Sequence, residues 1–301
     1  MTAVDVRIYE VGPRDGLQAE PVVVGTQDKL RFIGLLVDAG LREIETTSLV
    51  SPKAVPQMAD ADAVLAALDR RPEVRYPVLV PNQRGLERAV AAGVDAICLI
   101  TAATDAYVRH NIGMSREESL AAFEPIAAEA RRRGWWIRGY VSTAFGCPYD
   151  GEVDAGAVVA VSERLRAMGV DELAISDTVG VAAPADVARV LGALAQAGIG
   201  PDIIGLHFHD TRGTALANVM AALDAGVTTF DASTGGTGGS PFAPGAAGNL
   251  ATEDLVYLLD RQGLRHGVDL DGVLEAARFI GTALGRDDPV SKLGRAGGWP
   301  R

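Results

Sequence analysis

Short apolar runs rich in β-branched residues recur along the chain, each ending in small or polar residues and each followed by a stretch of helical periodicity. Eight of them read as strands, over residues 6–11, 42–47, 75–80, 96–101, 136–142, 172–176, 203–209 and 228–232. The helical stretches fall at 27–39, 61–69, 83–92, 116–133, 155–168, 184–197, 214–225 and 252–262. Seven glycines, Gly40, Gly93, Gly134, Gly169, Gly198, Gly226 and Gly263, stand where a left-handed C-terminal cap is wanted. A strand–helix unit repeated eight times predicts an α/β chain folded as a (β/α)8 TIM barrel, with an open doubly wound sheet as the alternative. No linker or low-complexity segment interrupts the pattern before residue 264, so residues 1–301 read as a single domain. Residues 270–284 add a C-terminal helix, and the Gly-rich, basic tail 292–301 is either disordered or laid over the barrel mouth.

Composition narrows the partners. Of 301 residues, 48% are hydrophobic and 22% charged, which excludes disorder of the whole chain. A formal net charge of −11 argues against nucleic acid, since phosphate binding needs a basic face. The longest basic cluster, Arg131-Arg132-Arg133, ends a helix, where cations complement the dipole. Two cysteines, Cys98 and Cys147, have no disulfide or zinc-knuckle spacing and suit a reducing cytoplasm. No stretch reaches the roughly 18 apolar residues that span a bilayer, so the expectation is a soluble, unexported protein with no membrane partner.

Candidate chemistry gathers at the carboxyl ends of the strands, where a closed barrel keeps its active site. The seventh strand runs into His207-Phe208-His209-Asp210, which holds two of the four histidines. Alternation at period two turns both imidazoles to one side, where they can share a metal ion or form a hydrogen-bonded core pair. The first strand leads into a turn carrying Glu10, Arg14, Asp15 and Gln18, and the sixth ends at Ser176-Asp177-Thr178. After the eighth come a glycine-rich loop containing Ser240 and then Asn249. Asp15, Asp177 and Asn249 each also suit a turn or helix N-cap. Glu45 lies within an apolar strand, where a carboxylate has to be paired or functional.

Barrel closure would set the eighth strand beside the first and bring Asp15, His207, His209 and Asn249 onto one arc. An Asp, two neutral His and an Asn oxygen suit a six-coordinate divalent ion, Mg²⁺ or Mn²⁺ before Zn²⁺, with positions left for substrate oxygens. The glycine-rich loop lacks the Gly-Lys-Ser/Thr ending of a phosphate-binding loop and reads as a flexible lid.

Six ordered motifs span most of the chain: EVGPRDGLQ at 10–18, ETTSLVSPKAVPQM at 45–58, RGYVSTAFGCPY at 138–149, DTVG at 177–180, HFHDTRG at 207–213 and GAAGNLATEDLVY at 245–257. Together they resemble the 3-hydroxy-3-methylglutaryl-CoA lyase family, metal-dependent TIM-barrel enzymes that make and break carbon–carbon bonds. The resemblance implies that Asp15, His207, His209 and Asn249 hold the metal and that Arg14 meets the enolate oxygen of the departing acyl-CoA. It implies that Glu45 orients these groups, with Asp177 as the candidate base. It places Gln18, Ser48 and Glu10 against an acyl-CoA substrate whose C3 hydroxyl and carboxylate chelate the metal. A homo-oligomer, dimer or tetramer, is the corresponding expectation. Lys53, Arg109 and Asn111, on loops of the same face, suit either CoA phosphates or plain solvation.

Three positions depart from the family pattern. Ser240 stands where the loop motif Gly-Cys-Pro has cysteine, and a thiol of pKa about 8.5 exchanges a proton at neutral pH more readily than a serine hydroxyl. That bears on the last protonation and on the substrate. Ala174-Ile175-Ser176 replaces an expected Ser-Leu-Gly, and Phe208 and Arg212 are atypical. The expected activity is cleavage of 3-hydroxy-3-methylglutaryl-CoA, or a related 3-hydroxyacyl-CoA, to acetyl-CoA and acetoacetate or another 3-oxo acid. Its alternatives are a condensing enzyme joining an acyl-CoA to a 2-oxo acid, and a catalytically impaired metal-binding paralogue that retains the ligands.

Overall fold

All eight expected strands are present and every pairing between them is parallel. The computed structural model describes residues 5–238 and 248–297. Its strands are β1 (Arg7–Glu10), β2 (Glu43–Ile44), β3 (Thr47–Ser48), β4 (Val78–Leu79), β5 (Ala96–Ala102), β6 (Trp136–Ser142), β7 (Glu172–Asp177), β8 (Ile204–Phe208) and β9 (Thr229–Ala232). They hydrogen-bond in the order β2-β1-β9-β8-β7-β6-β5-β4-β3. β2 and β3 are two halves of the expected second strand, split at Glu45-Thr46. Across the split Glu45 N donates to Glu10 O at 2.9 Å and Thr46 N to Pro77 O at 3.0 Å, so consecutive amides serve opposite neighbours. The sheet closes there on itself, and the open alternative is excluded.

The helices are α1 (Thr26–Asp38), α2 (Ala61–Ala67), α3 (Gln83–Ala91), α4 (Asp105–Ile112), α5 (Arg116–Arg132), α6 (Ala155–Met168), α7 (Pro184–Gln196), α8 (Ala215–Asp224), α9 (Thr252–Arg261), α10 (Leu270–Ala283) and α11 (Lys292–Arg295). The unforeseen α4 is short and mostly polar, with a single buried residue, Val108, so it shows no apolar stripe to read. It moves Arg109 and Asn111 from an expected loop onto a helix. All seven glycines expected to end helices have positive φ. At Gly40, φ is 100° and a Cβ would come 2.4 Å from the Gly267 carbonyl oxygen, so conformation and space both require glycine. No helix among the described residues is long and apolar enough to cross a membrane.

Alternation along the strands separates two interiors. Ile8, Phe230, Leu206, Ile175 and Leu173 face the helices in the main core, whereas Tyr9, Cys98, Tyr140 and Ala174 pack inside the barrel. The inward side also carries Glu45, Arg138, Glu172 and Asp231, all buried. Beyond the barrel α10 packs on α1, and α11 docks at the start of α9, where Asp254 accepts from Lys292 N at 3.0 Å and Leu293 N at 2.7 Å. Lys292 also pairs with Asp210, and Arg286 with Glu20 at 2.6 Å. The described part of the tail is therefore an ordered helix tied to the ends of the strands; residues 298–301 lie outside the described residues.

Glu253, in the first turn of α9, faces this junction fully buried. Burial pushes its carboxyl up to about 7 from an ordinary value of 4.5, against the smaller pull of the Ser291 hydroxyl and the Gly235 N–H. The folded state thus holds this proton more tightly than the unfolded chain, and stability falls as pH rises from about 4.5 through about 7. Glu253→Gln should flatten that slope and raise stability by about 2–3 kcal/mol at pH 8 while changing little at pH 4. Urea unfolding at the two pH values checks it.

Candidate metal centre and active site

The turn after β1 is a single wide π-type loop, Gly12–Gly16, in which Val11 O accepts from both Arg14 N and Gly16 N at 3.1 Å. Glu10 anchors it, accepting from Gly12 N at 2.8 Å, Thr234 N at 2.9 Å, Thr234 Oγ1 at 2.6 Å and Thr252 Oγ1 at 2.7 Å. Gly16 lies so close to the segment after β9 that a Cβ would sit 2.3 Å from Thr237 Oγ1. Asp15 is thereby delivered over the mouth. On the neighbouring side His207 is the penultimate residue of β8, and His209 forms an antiparallel bridge with Asn249. Leu250 N to Phe208 O at 3.0 Å and Asp210 N to Gly248 O at 2.7 Å hold that bridge in register.

One ligand atom each from Asp15, His207 and His209 lie within 4.8 Å of one another. Asn249 joins them: Nδ2 donates to Asp15 Oδ2 at 2.9 Å and to Thr237 O at 3.2 Å, which leaves the acceptor Oδ1 unbonded. That Oδ1 and His209 Nδ1 are buried with no hydrogen-bond partner. A buried polar atom without a partner costs about 1–3 kcal/mol, a cost that a bound cation would offset. The protonation states of His209 and Asp15 suit one. Burial, then the neighbouring His207, holds His209 down at about 4, so the ring is neutral. Burial works to raise the Asp15 carboxyl, but Arg14, His207, His209 and Asn249 outweigh it and hold it at about 2. Burial also opposes charge on His207, yet its hydrogen bond and attraction to Asp231 move it upward. His207 Nδ1 lies 3.0 Å from Asp231 Oδ2, so Nε2 is the nitrogen left for an ion.

Beside these four, Arg14 is nearly fully buried and divides its donors between Glu45 Oε1 at 2.5 Å through Nε and Asp15 Oδ1 at 2.7 Å through Nη1. Glu45 Oε2 accepts from Tyr140 Oη at 2.6 Å. The arrangement is an ion pocket with a guanidinium at its edge, suited to a substrate that chelates through oxygen and develops negative charge nearby.

The HMGL-like family model matches residues 5–280. The chain belongs to the HMGL-like family. It is 46% identical over 288 residues to the hydroxymethylglutaryl-CoA lyase of Bacillus subtilis, covering 96% of each chain. It is also 46% identical to human mitochondrial hydroxymethylglutaryl-CoA lyase over 93% of this chain and 86% of that one. Among solved structures, the hydroxymethylglutaryl-CoA lyase of Pseudomonas aeruginosa superposes with a TM-score of 0.94 at 42% identity, covering 97% of this chain and 96% of that one. An Acinetobacter baumannii HMG-CoA lyase in complex with coenzyme A and 3-methylmalate has a TM-score of 0.92 at 38% identity, covering 99% and 97%.

Within this HMGL-like site the expected residues differ in how they are placed. Asp15, His207, His209 and Asn249 come together, with Arg14 and Glu45 beside them. Gln18 Oε1 and Ser48 Oγ are buried with no hydrogen-bond partner. Glu10, expected against substrate, instead uses its carboxylate entirely on the four bonds given above and ties the turn to α9 and the segment after β9. Asp177 turns both oxygens into its own loop, accepting from Val181 N and Ala182 N at 3.0 Å each. Burial pushes its carboxyl upward against those bonds. Ser240 lies outside the described residues. Arg138 and Tyr140, quoted only within the 138–149 motif, and Glu172 and Asp231 received no role in the sequence reading, although the signal that singled out Glu45, a charge inside an apolar strand, is present at Arg138 and Asp231 as well.

Titration with Mn²⁺ should find one site per chain, weakened at least about 100-fold by His209→Ala. Because His209 Nδ1 has no protein partner to lose, that substitution should lower metal-free stability by only about 1–2 kcal/mol, a modest core truncation. Calorimetric titration and thermal melts of the same samples separate the two effects.

Proposed function

We propose that the chain is a metal-dependent carbon–carbon lyase that cleaves 3-hydroxy-3-methylglutaryl-CoA to acetyl-CoA and acetoacetate. The observation that carries this is the convergence of Asp15, His207 and His209, with Asn249 bonded to Asp15, beside the buried Arg14. The chelating O/N set favours Mg²⁺ or Mn²⁺ over Zn²⁺. A divalent ion there supplies Lewis acidity that lowers the pKa of a substrate hydroxyl.

Asp177 is the candidate base. Its two backbone hydrogen bonds occupy half of a carboxylate's roughly four acceptor sites, and its raised pKa suits proton transfer. Removal of the C3 hydroxyl proton lets the oxygen's electron pair form the C3 ketone as the C2–C3 bond breaks. That bond's electrons pass to C2 and into the thioester, giving the acetyl-CoA enolate. Arg14 has Nε and Nη1 committed to Glu45 and Asp15, so Nη2 is the donor offered to the enolate oxygen. Gln18 and Ser48 supply polar contacts to substrate, and Glu45 fixes Arg14. Protonation of C2 falls to the Ser240 position.

The coenzyme A bound in the Acinetobacter baumannii relative supports an acyl-CoA partner. We infer a cytoplasmic protein from the two free, buried cysteines, and a dimer or tetramer from the family resemblance.

A panel of 3-hydroxyacyl-CoA thioesters incubated with Mg²⁺ or Mn²⁺ tests the reading. Acetyl-CoA and acetoacetate should appear in equal amounts from 3-hydroxy-3-methylglutaryl-CoA, chelator should abolish them, and Arg14→Gln should lower kcat by about 10²- to 10³-fold. No product from folded, metal-loaded protein would overturn it. Ser240→Cys should raise turnover on this substrate by about 10- to 100-fold if the proton donor is what the serine lacks; no gain would direct the search to a different C3 substituent.

A further inference from the structure

Beneath the metal centre the barrel interior contains one fully buried guanidinium, Arg138, at 0% exposure. One of its hydrogen-bond arms grips Asp231, with Nη2 to Oδ1 at 2.6 Å and Nη1 to Oδ2 at 2.9 Å; the same Oδ2 lies 3.0 Å from His207 Nδ1. The other arm runs from Nη1 to Tyr140 Oη at 2.9 Å, whose hydroxyl donates to Glu45 Oε2 at 2.6 Å. Glu45 in turn holds Arg14 and Arg14 holds Asp15. A third contact, Nε to Glu172 Oε1 at 2.8 Å, leads away from the site to Arg7.

We infer that Asp231 and Tyr140 are positioning residues for the metal, through which Arg138 sets two of the residues that would hold it, His207 by one arm and Asp15 by the other. An imidazole whose Nδ1–H is held by an ionised carboxylate has its tautomer and ring plane fixed with Nε2 outward. Asp231 stays ionised because the bidentate guanidinium compensates its burial. The Tyr140 hydroxyl has one proton, so accepting from Arg138 commits that proton to Glu45 and fixes the direction of the whole second arm. Neither residue is arranged to touch an ion itself.

The inference rests on the metal reading above, and Mn²⁺ binding followed by electron paramagnetic resonance tests both. Wild-type protein should bind Mn²⁺; if it does not, the metal reading fails and this inference with it. Tyr140→Phe should weaken Mn²⁺ binding about 10-fold and Asp231→Asn about 10- to 100-fold, the usual range for partners of metal ligands. Because the arms end on different ligands, the losses should multiply in the double variant. Glu172→Gln, which touches Arg138 but leads to no ligand, should lower the melting temperature while leaving Mn²⁺ affinity within about threefold. Wild-type-like affinity in folded Tyr140→Phe and Asp231→Asn, or an equal loss in Glu172→Gln, would overturn the inference. If Asp231→Asn does not fold, Tyr140→Phe and Glu172→Gln still decide between positioning and mere stability.

Discussion

A buried guanidinium has to be neutralised where it stands, and the interior of this barrel is organised around that constraint. Arg138 cannot reach water, so Asp231 and Glu172 come from the two sides, the Tyr140 hydroxyl accepts a further N–H, and the Tyr9 ring lies with its face 3.8 Å from the guanidinium carbon. Each partner belongs to a different strand, so satisfying one charge ties β1, β6, β7 and β9 together. Gly205 on β8 takes part through what it lacks, since a Cβ there would sit 2.5 Å from Arg138 Nη2. Removing a partner would leave a buried charge uncompensated, which makes the arrangement nearly all-or-none.

The same low-polarity interior sorts the protonation states above it. Desolvation disfavours charge on every group at the mouth, yet the outcome differs with the neighbours. Asp15 keeps its charge because Arg14 and two imidazoles surround it; His209, with no carboxylate bonded to Nδ1, is kept neutral. Asp177 has backbone N–H groups and the pull of His207, which together do not offset its burial, and its carboxyl rises. A carboxylate that stays charged, an imidazole that stays neutral and a carboxyl that holds its proton more tightly thus arise from ordinary side chains by placement alone.

Much of this was legible in the residues. The β-branched runs gave the strands, the glycines the helix ends, and His207-Phe208-His209 a shared direction for two imidazoles. Glu45 betrayed itself as a charge within an apolar run. What escaped was local and three-dimensional. α4 has no apolar stripe, so periodicity missed it; Glu10 looks like any mouth carboxylate until its four donors are seen. Asp231 and Arg138 carry the same signal as Glu45, but only contact between β6 and β9 shows that they are partners.

The sequence by itself determined the strand–helix repeat, the HMGL-like motifs and the residue types at the strand ends, because period, capping and motif order are properties of neighbours along the chain. The tertiary structure alone decided that the second strand divides between its neighbours at Glu45-Thr46, that Asn249 bonds Asp15 through Nδ2, and that Glu10 is an anchor while Arg138 underlies the cluster. Those facts depend on distances between residues separated by up to 242 positions, as Glu10 and Thr252 are. Such distances follow from how twisted strands close and pack, which no local pattern encodes.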